Sequence, residues 1–251
     1  MKKLIYFLLT GFMFFLAGCF ETTQEITINK DGSGLFSNTT DLSNMVGLLK
    51  QMGGDEVGKL KNTDTTISLA GVADSIAGLS PQQKKIIDQG SMKLSLNMND
   101  EKLIINLNLP FKKISDIPML KEAMPRVSEA IIKKLPGTEQ MPAGMSGGDS
   151  SKIKTFDDYY DVTMTDKLIS KTLNKEKYAA ASDDESMKAL KQMSGMGSPI
   201  TSNYIINLPR PARKVEGKAI KLSGDKKKAT LMVTSDDFFD DPSKFEYRIE
   251  Y

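Results

Sequence analysis

Six consecutive residues, Asp236-Asp237-Phe238-Phe239-Asp240-Asp241, form the densest set of carboxylates in the chain. Four such groups around one point could hold Ca²⁺ or Mg²⁺ through oxygen ligands. No glycine-centred ligand loop accompanies them. The pattern reads better as a connection between strands, with aspartates capping turns and the two phenylalanines tucked inward. Other chemistry is bounded by absence. The chain has no His, which excludes a Ser-His-Asp triad and a His-ligated metal, and it has a single Cys, Cys19. Methionines cluster at Met141 and Met145 and again at Met193 and Met196. Thioethers bind Cu(I), but the His or Cys that usually accompanies them is missing, and most of the other methionines fall on apolar faces as gap-fillers. Between Arg210 and Lys228, eight basic residues meet only two acids, Glu216 and Asp225. Arg210, Arg213, Lys214 and Lys218 could contact anionic lipid head groups. The plainer alternative is a solvated, charged hairpin that protects a sheet edge. These residues define no catalytic set, no metal and no cofactor, so the expectation is a non-enzymatic protein.

Cys19 has a different context. Met1-Lys2-Lys3 is a cationic head, Leu4–Leu16 is apolar, and Ala17-Gly18 places small residues before the thiol. That is the layout of a secretory signal peptide over residues 1–18. A membrane helix is the competing reading, but Leu4–Phe20 is short for a span and has no stop-transfer charges after it. Leu16-Ala17-Gly18-Cys19 resembles the lipobox of bacterial lipoproteins. The resemblance implies a diacylglyceryl group on the thiol, cleavage before Cys19 and acylation of the new amine. Each buried methylene contributes about 0.8 kcal/mol, so two or three chains on Cys19 would anchor the protein to membrane lipid permanently. Phe20 is not the Asp that favours inner-membrane retention in such families. The expected location is the periplasmic face of the outer membrane, with residues 19–23 as a lipidated tether.

Removing the leader takes away Lys2 and Lys3 from 34 basic residues and none of the 32 acidic ones. The balance that remains argues against nucleic acid as a partner. With the thiol occupied by lipid, no disulfide is available, and the fold must hold by burial.

The rest of the chain has to supply the frame. Gln24–Asn29 and Leu35–Thr40 read as strands around an Asp31-Gly32 turn. Asp41 then caps a helix over Leu42–Met52. Thr66–Val72 is a short strand, and Ser80-Pro81 opens a helix through Ile87. Met92–Met98 and Leu103–Leu109 alternate with period two, which predicts half-buried antiparallel strands. A helix from Ser115 to Leu135 follows, kinked at Pro125. Residues 136–151 are a flexible segment without periodicity. Tyr160–Met164 is a strand, and Ser182-x-x-Glu185 is a capping box for a helix to Met193. Tyr204–Leu208 is a strand, Lys218–Leu222 and Ala229–Thr234 form a hairpin, and Phe245, Tyr247, Ile249 and Tyr251 alternate along a last strand. The sum is an α+β domain over residues 24–251, a mostly antiparallel β-sheet with helices packed on one face.

Glu25–Gly34, Tyr204–Pro209 and the closing strands together resemble the LppM-type domain of bacterial lipoproteins. The resemblance covers about a third of the chain and rests on strand–turn patterns, so no site residues come with it. It implies an α+β domain that binds a lipid or other amphiphile. A protein-interaction or scaffold role in an envelope complex is the alternative. Labelled palmitate fed to cells should enter the native protein, and Cys19→Ser should abolish the label; equal labelling of both would overturn the anchoring expectation.

Overall fold

The computed structural model describes residues 20–44, 46, 62–132, 154–195 and 199–251. Cys19, most of the helix expected over Leu42–Met52 and the segment 136–151 lie outside the described residues. The first half holds β1 (Phe20–Ile28), β2 (Gly34–Asp41), β3 (Thr63–Ser68), α1 (Pro81–Ile87), β4 (Ser91–Asn97), β5 (Lys102–Phe111) and α2 (Ile117–Ile132). The second holds β6 (Tyr160–Met164), β7 (Leu168–Leu173), α3 (Lys175–Ala179), α4 (Glu185–Gly195), β8 (Ile200–Asn207), β9 (Lys214–Glu216), β10 (Ile220–Leu222), β11 (Lys228–Thr234), α5 (Ser235–Asp240) and β12 (Tyr247–Glu250).

Eight strands form one sheet in the order β10-β11-β8-β1-β2-β5-β4-β3, and four form a second in the order β6-β7-β12-β9. Every pairing is antiparallel except β1 with β8, which run parallel from Phe20 beside Ile200. The β1–β2 turn works because Gly32 takes a φ of +83°, a left-handed conformation that costs glycine little. Gly34 opens β2 so close to β1 that a Cβ there would lie 1.9 Å from the Thr27 carbonyl oxygen.

Alternation decides which face is buried. Ile26, Phe36, Leu107, Leu109, Tyr204, Ile206 and Leu231 point into one continuous core. α1 packs on β5, and α2 packs on α1 and β6. On the smaller sheet Tyr160, Met164, Ile169, Tyr247 and Ile249 face the same core. The outer face of the large sheet is a polar lattice. Asn106 donates to Ser37 and Thr39 at 3.1 and 2.6 Å, Asn207 to Glu25 at 2.6 Å, and Asn203 to Glu21 at 2.7 Å. Such cross-strand bonds satisfy a wet face without apolar cover.

Several expectations change. Phe20–Thr23 is not a tether but the first half of β1, with Phe20 paired to β8 and Glu21–Thr23 paired on both sides. The polar residues that suggest a linker are those of a central strand whose outer face is wet. Asp236–Asp241 does connect two strands, β11 and β12, with an aspartate in a cap and Phe238 tucked inward as expected, while Phe239 is half-buried and the connection is helical. Ser235–Asp240 is a helical turn and a half, with Thr234 and Asp237 forming its capping box. The cap of α4 is Asp184, whose Oδ1 accepts the N–H groups of Ser186 and Met187 at 3.0 and 3.2 Å, rather than Ser182. Pro125 lies within α2, as the sequence requires. The α1 cap matches in detail, with Ser80 and Gln83 closing a capping box. β7, β9 and α3 have no counterpart in the sequence reading.

The last strand is narrower than its alternation suggests, yet Phe245, Tyr247, Ile249 and Tyr251 are all buried. Ile249→Ala should therefore cost about 2–5 kcal/mol. Glu250→Ala, which removes a surface pair with Arg248 at 2.9 Å, should cost under about 1 kcal/mol. Urea unfolding of the two variants separates them, and similar losses would mean that β12 is not packed as described.

Candidate functional site

The molecule's most unusual chemistry is internal. Lys171 occupies an inward position of β7 and its side chain is 0% exposed. Its ammonium lies 4.4, 4.6 and 5.2 Å from the ring centres of Tyr204, Tyr160 and Phe245. Asp157, in the 3₁₀ turn Phe156–Tyr159, accepts from Lys171 and forms an ion pair with Lys121 of α2. The Tyr204 hydroxyl donates to the same carboxylate at 3.0 Å. Burial alone would raise Asp157, but the two lysines hold it far below the carboxylate range. For Lys171, burial lowers the ammonium to about 8; Asp157 opposes that shift and Lys121 adds to it. Burial also pushes the Tyr204 hydroxyl well above its ordinary value. The cluster joins α2, β7 and β8 to one carboxylate. Its ammonium is sealed from solvent, so it can order a core but cannot meet a substrate.

The accessible site lies beyond it, where α3, α4 and α5 meet. A cleft of about 330 Å³ is lined by Tyr178, Ala179, Ala181, Ser182, Met187, Lys188, Lys191, Phe238 and Phe239. Its floor is set by Phe238, fully buried and in ring contact with Phe156, Tyr159, Tyr178 and Phe239 at 4.8–5.4 Å. The Tyr178 hydroxyl donates to the Phe238 carbonyl at 2.9 Å, which fixes α3 against α5. Lys188 and Lys191 stand three apart on α4 and so share a face. The Lys191 ammonium lies 5.7 Å from the Phe239 ring centre. Neither lysine has an acidic partner among the described residues. An aromatic and thioether floor beneath two cations suits a ligand with an apolar body and an anionic end.

Position adds to this. α5 follows β11, whose Thr234 pairs with Thr201 of β8, and Ile200 of β8 lies beside Phe20. The Ile200 N–H donates to the Ser235 hydroxyl at 3.1 Å. The cleft therefore stands at the end of the sheet where β1 starts, one residue after Cys19.

The basic residues singled out in the sequence are elsewhere. β1 and β8 run parallel, so Arg210 lies past the opposite end of the paired stretch, which is about 23 Å long at 3.3 Å per residue. Arg210 donates to the backbone oxygens of Asp166 and Tyr251 at 2.9 and 3.1 Å. Lys214 pairs with Glu216 at 2.6 Å and Lys218 with Asp241 at 3.0 Å. Arg213 is exposed and lines a second cleft. The four do not converge on one point. In the acidic run, Asp237 pairs with Lys244 at 2.5 Å and Asp241 with Lys218, and no group of three metal-ligating side chains is found among the described residues. Comparison of the chain with protein-family models, curated proteins and solved structures finds no match.

Asp157→Asn leaves the buried Lys171 ammonium uncompensated and should cost about 3–5 kcal/mol, whereas Lys171→Met leaves Asp157 paired with Lys121 and should cost less. The pH dependence follows from the two shifts. The contribution of Asp157 is complete above the ordinary carboxylate value of 3.8 and declines as pH falls below it. Between about 8 and the ordinary 10.5, the unfolded chain keeps a proton that native Lys171 releases, so this group makes stability rise with pH. Unfolding free energies measured across both windows should lose the acid limb in Asp157→Asn and the alkaline rise in Lys171→Met. Unchanged profiles would remove the cluster from its structural role.

Proposed function

We propose that the chain is a lipid-anchored envelope protein, non-enzymatic, that holds a lipid or another anionic amphiphile in the cleft between α3, α4 and α5. The observation that carries this reading is the pairing of an aromatic floor, Tyr178, Phe238 and Phe239, with Lys188 and Lys191 at its rim, which have no acidic partner among the described residues. The volume is at the small end for ligand pockets, which suits a single acyl chain or a compact apolar group more than a whole lipid. If Cys19 is acylated, the cleft opens at the end of the sheet nearest the bilayer, since β1 begins at Phe20 with no tether between. That placement fits a protein that samples amphiphiles leaving or entering its own membrane. It also moves the lipid contact away from Arg210, Arg213, Lys214 and Lys218.

Ala179 lines the cleft but is exposed, so its enlargement can fill the space without disturbing the core. Native mass spectrometry of the full chain purified from cells should find a small-molecule adduct. Ala179→Trp should lose it while circular dichroism stays unchanged, and Lys188→Glu with Lys191→Glu should lower its occupancy by about tenfold, equivalent to about 1.4 kcal/mol. A native protein without an adduct, or an adduct indifferent to both variants, would sink this reading.

A further inference from the structure

The second cleft, of about 300 Å³, lies at the other end of the molecule and is lined by Lys167, Leu168, Arg213, Arg248, Glu250 and Tyr251. Its construction follows from the strand order. β12 runs between β7 and β9, and the starts of those two flank the end of β12. The Tyr251 N–H donates to the Lys167 carbonyl at 3.1 Å, and the Arg213 N–H to the Glu250 carbonyl at 2.7 Å. Lys167 and Arg213 therefore straddle Tyr251 from the two neighbouring strands, with backbones about 10 Å apart.

Charge is distributed unevenly around this cleft. Arg248 is bound to Glu250 at 2.9 Å. Lys167 and Arg213 have no acidic partner among the described residues, unlike Lys177, Lys214, Lys218 and Lys244, each of which is paired. With the neighbours that act on Tyr251 included, the cations Lys167, Arg210, Arg213 and Arg248 meet the carboxylates of Glu250 and Asp166, in a concave setting where low-dielectric walls focus the field. The same end of the large sheet carries Lys30, Lys112 and Lys226 alongside Asp31 and Asp225.

We propose that this remote end holds an oxyanion-binding cleft, built by Lys167, Arg213 and Arg248 around Tyr251, that takes phosphate or carboxylate groups of an anionic polymer. The Arg213 guanidinium can grip such a group in a bidentate manner, Lys167 supplies a point charge across the cleft, and Arg248 can turn from Glu250 toward the ligand. The site stands apart from the amphiphile cleft and does not require Cys19 to be acylated. Where Cys19 is anchored, the site points away from the bilayer, beyond the reach of head-group charge screened within about 8–10 Å.

The test uses the full chain in a non-ionic detergent with fluorescent polyphosphate and, separately, fluorescent poly-glutamate at low ionic strength. At least one should bind, and binding should weaken as salt rises. Lys167→Glu with Arg213→Glu should weaken it by about tenfold or more, and the double alanine variant by less. Lys102→Glu with Lys175→Glu makes the same charge change on exposed residues elsewhere and should stay within about twofold of native. Whichever polymer binds identifies the source as phosphate or carboxylate. No binding of either probe, or equal losses in the two charge-reversed variants, would overturn the proposal.

Discussion

An ammonium group with no exposed surface sits between two sheets, and much of the structure is arranged to keep it there. Moving such a charge out of water costs several kcal/mol even after the protein relaxes. The cost is offset only if the counter-charge is fixed and the remaining space is filled. Asp157 is fixed by a 3₁₀ turn, the rings of Tyr160, Tyr204 and Phe245 fill the space, and Lys121 of α2 holds the carboxylate from the other side. Those contacts come from both sheets and from the long helix. A small shift of the four-stranded sheet over β8 would carry Lys171 and Asp157 together away from the Tyr204 hydroxyl and from Lys121, and leave the buried pair short of partners. The pair thus selects one registry between the layers, and an apolar lysine replacement would leave several.

That arrangement also sets the limits of what can be read in the linear chain. Local patterns were legible where alternation is apolar against polar, as in β4, β5 and the run from Phe245 to Tyr251. They were legible at Ser80–Gln83, where side chains close on their own backbone. β7 was not, because Leu168–Leu173 places Lys171 where an apolar residue belongs and thereby hides its period. The first residues of β1 read as linker because a central strand with a wet outer face needs few apolar side chains. Asp184 and Ser182 both offer an oxygen near the start of α4, and only the backbone path decides between them. The cleft beneath Lys188 and Lys191 depends on α3, α4 and α5 meeting from separate parts of the chain, and no local signal encodes that meeting.

The large sheet gives the domain two ends of different character. At one, short helices close over an aromatic cluster and leave room for an apolar group. At the other, strand termini bring together cations that their own acids do not neutralise. The polar lattice between them is satisfied by its own amides and hydroxyls, so neither end depends on apolar cover from the outer face.

The parallel pairing of β1 with β8 has a consequence for the order of assembly. Thr22 meets Ser202 across a sequence separation of 180, whereas β2 can fold back on β1 at once. A ribosome or a translocation channel delivers β1 long before its second neighbour exists. Until then one edge of a central strand is bare, a template for the wrong partner. Contacts of such sequence separation form slowly because loop closure precedes any gain. The early hairpin therefore forms with one edge open, and the interval before residue 200 emerges is the one in which that edge can pair wrongly.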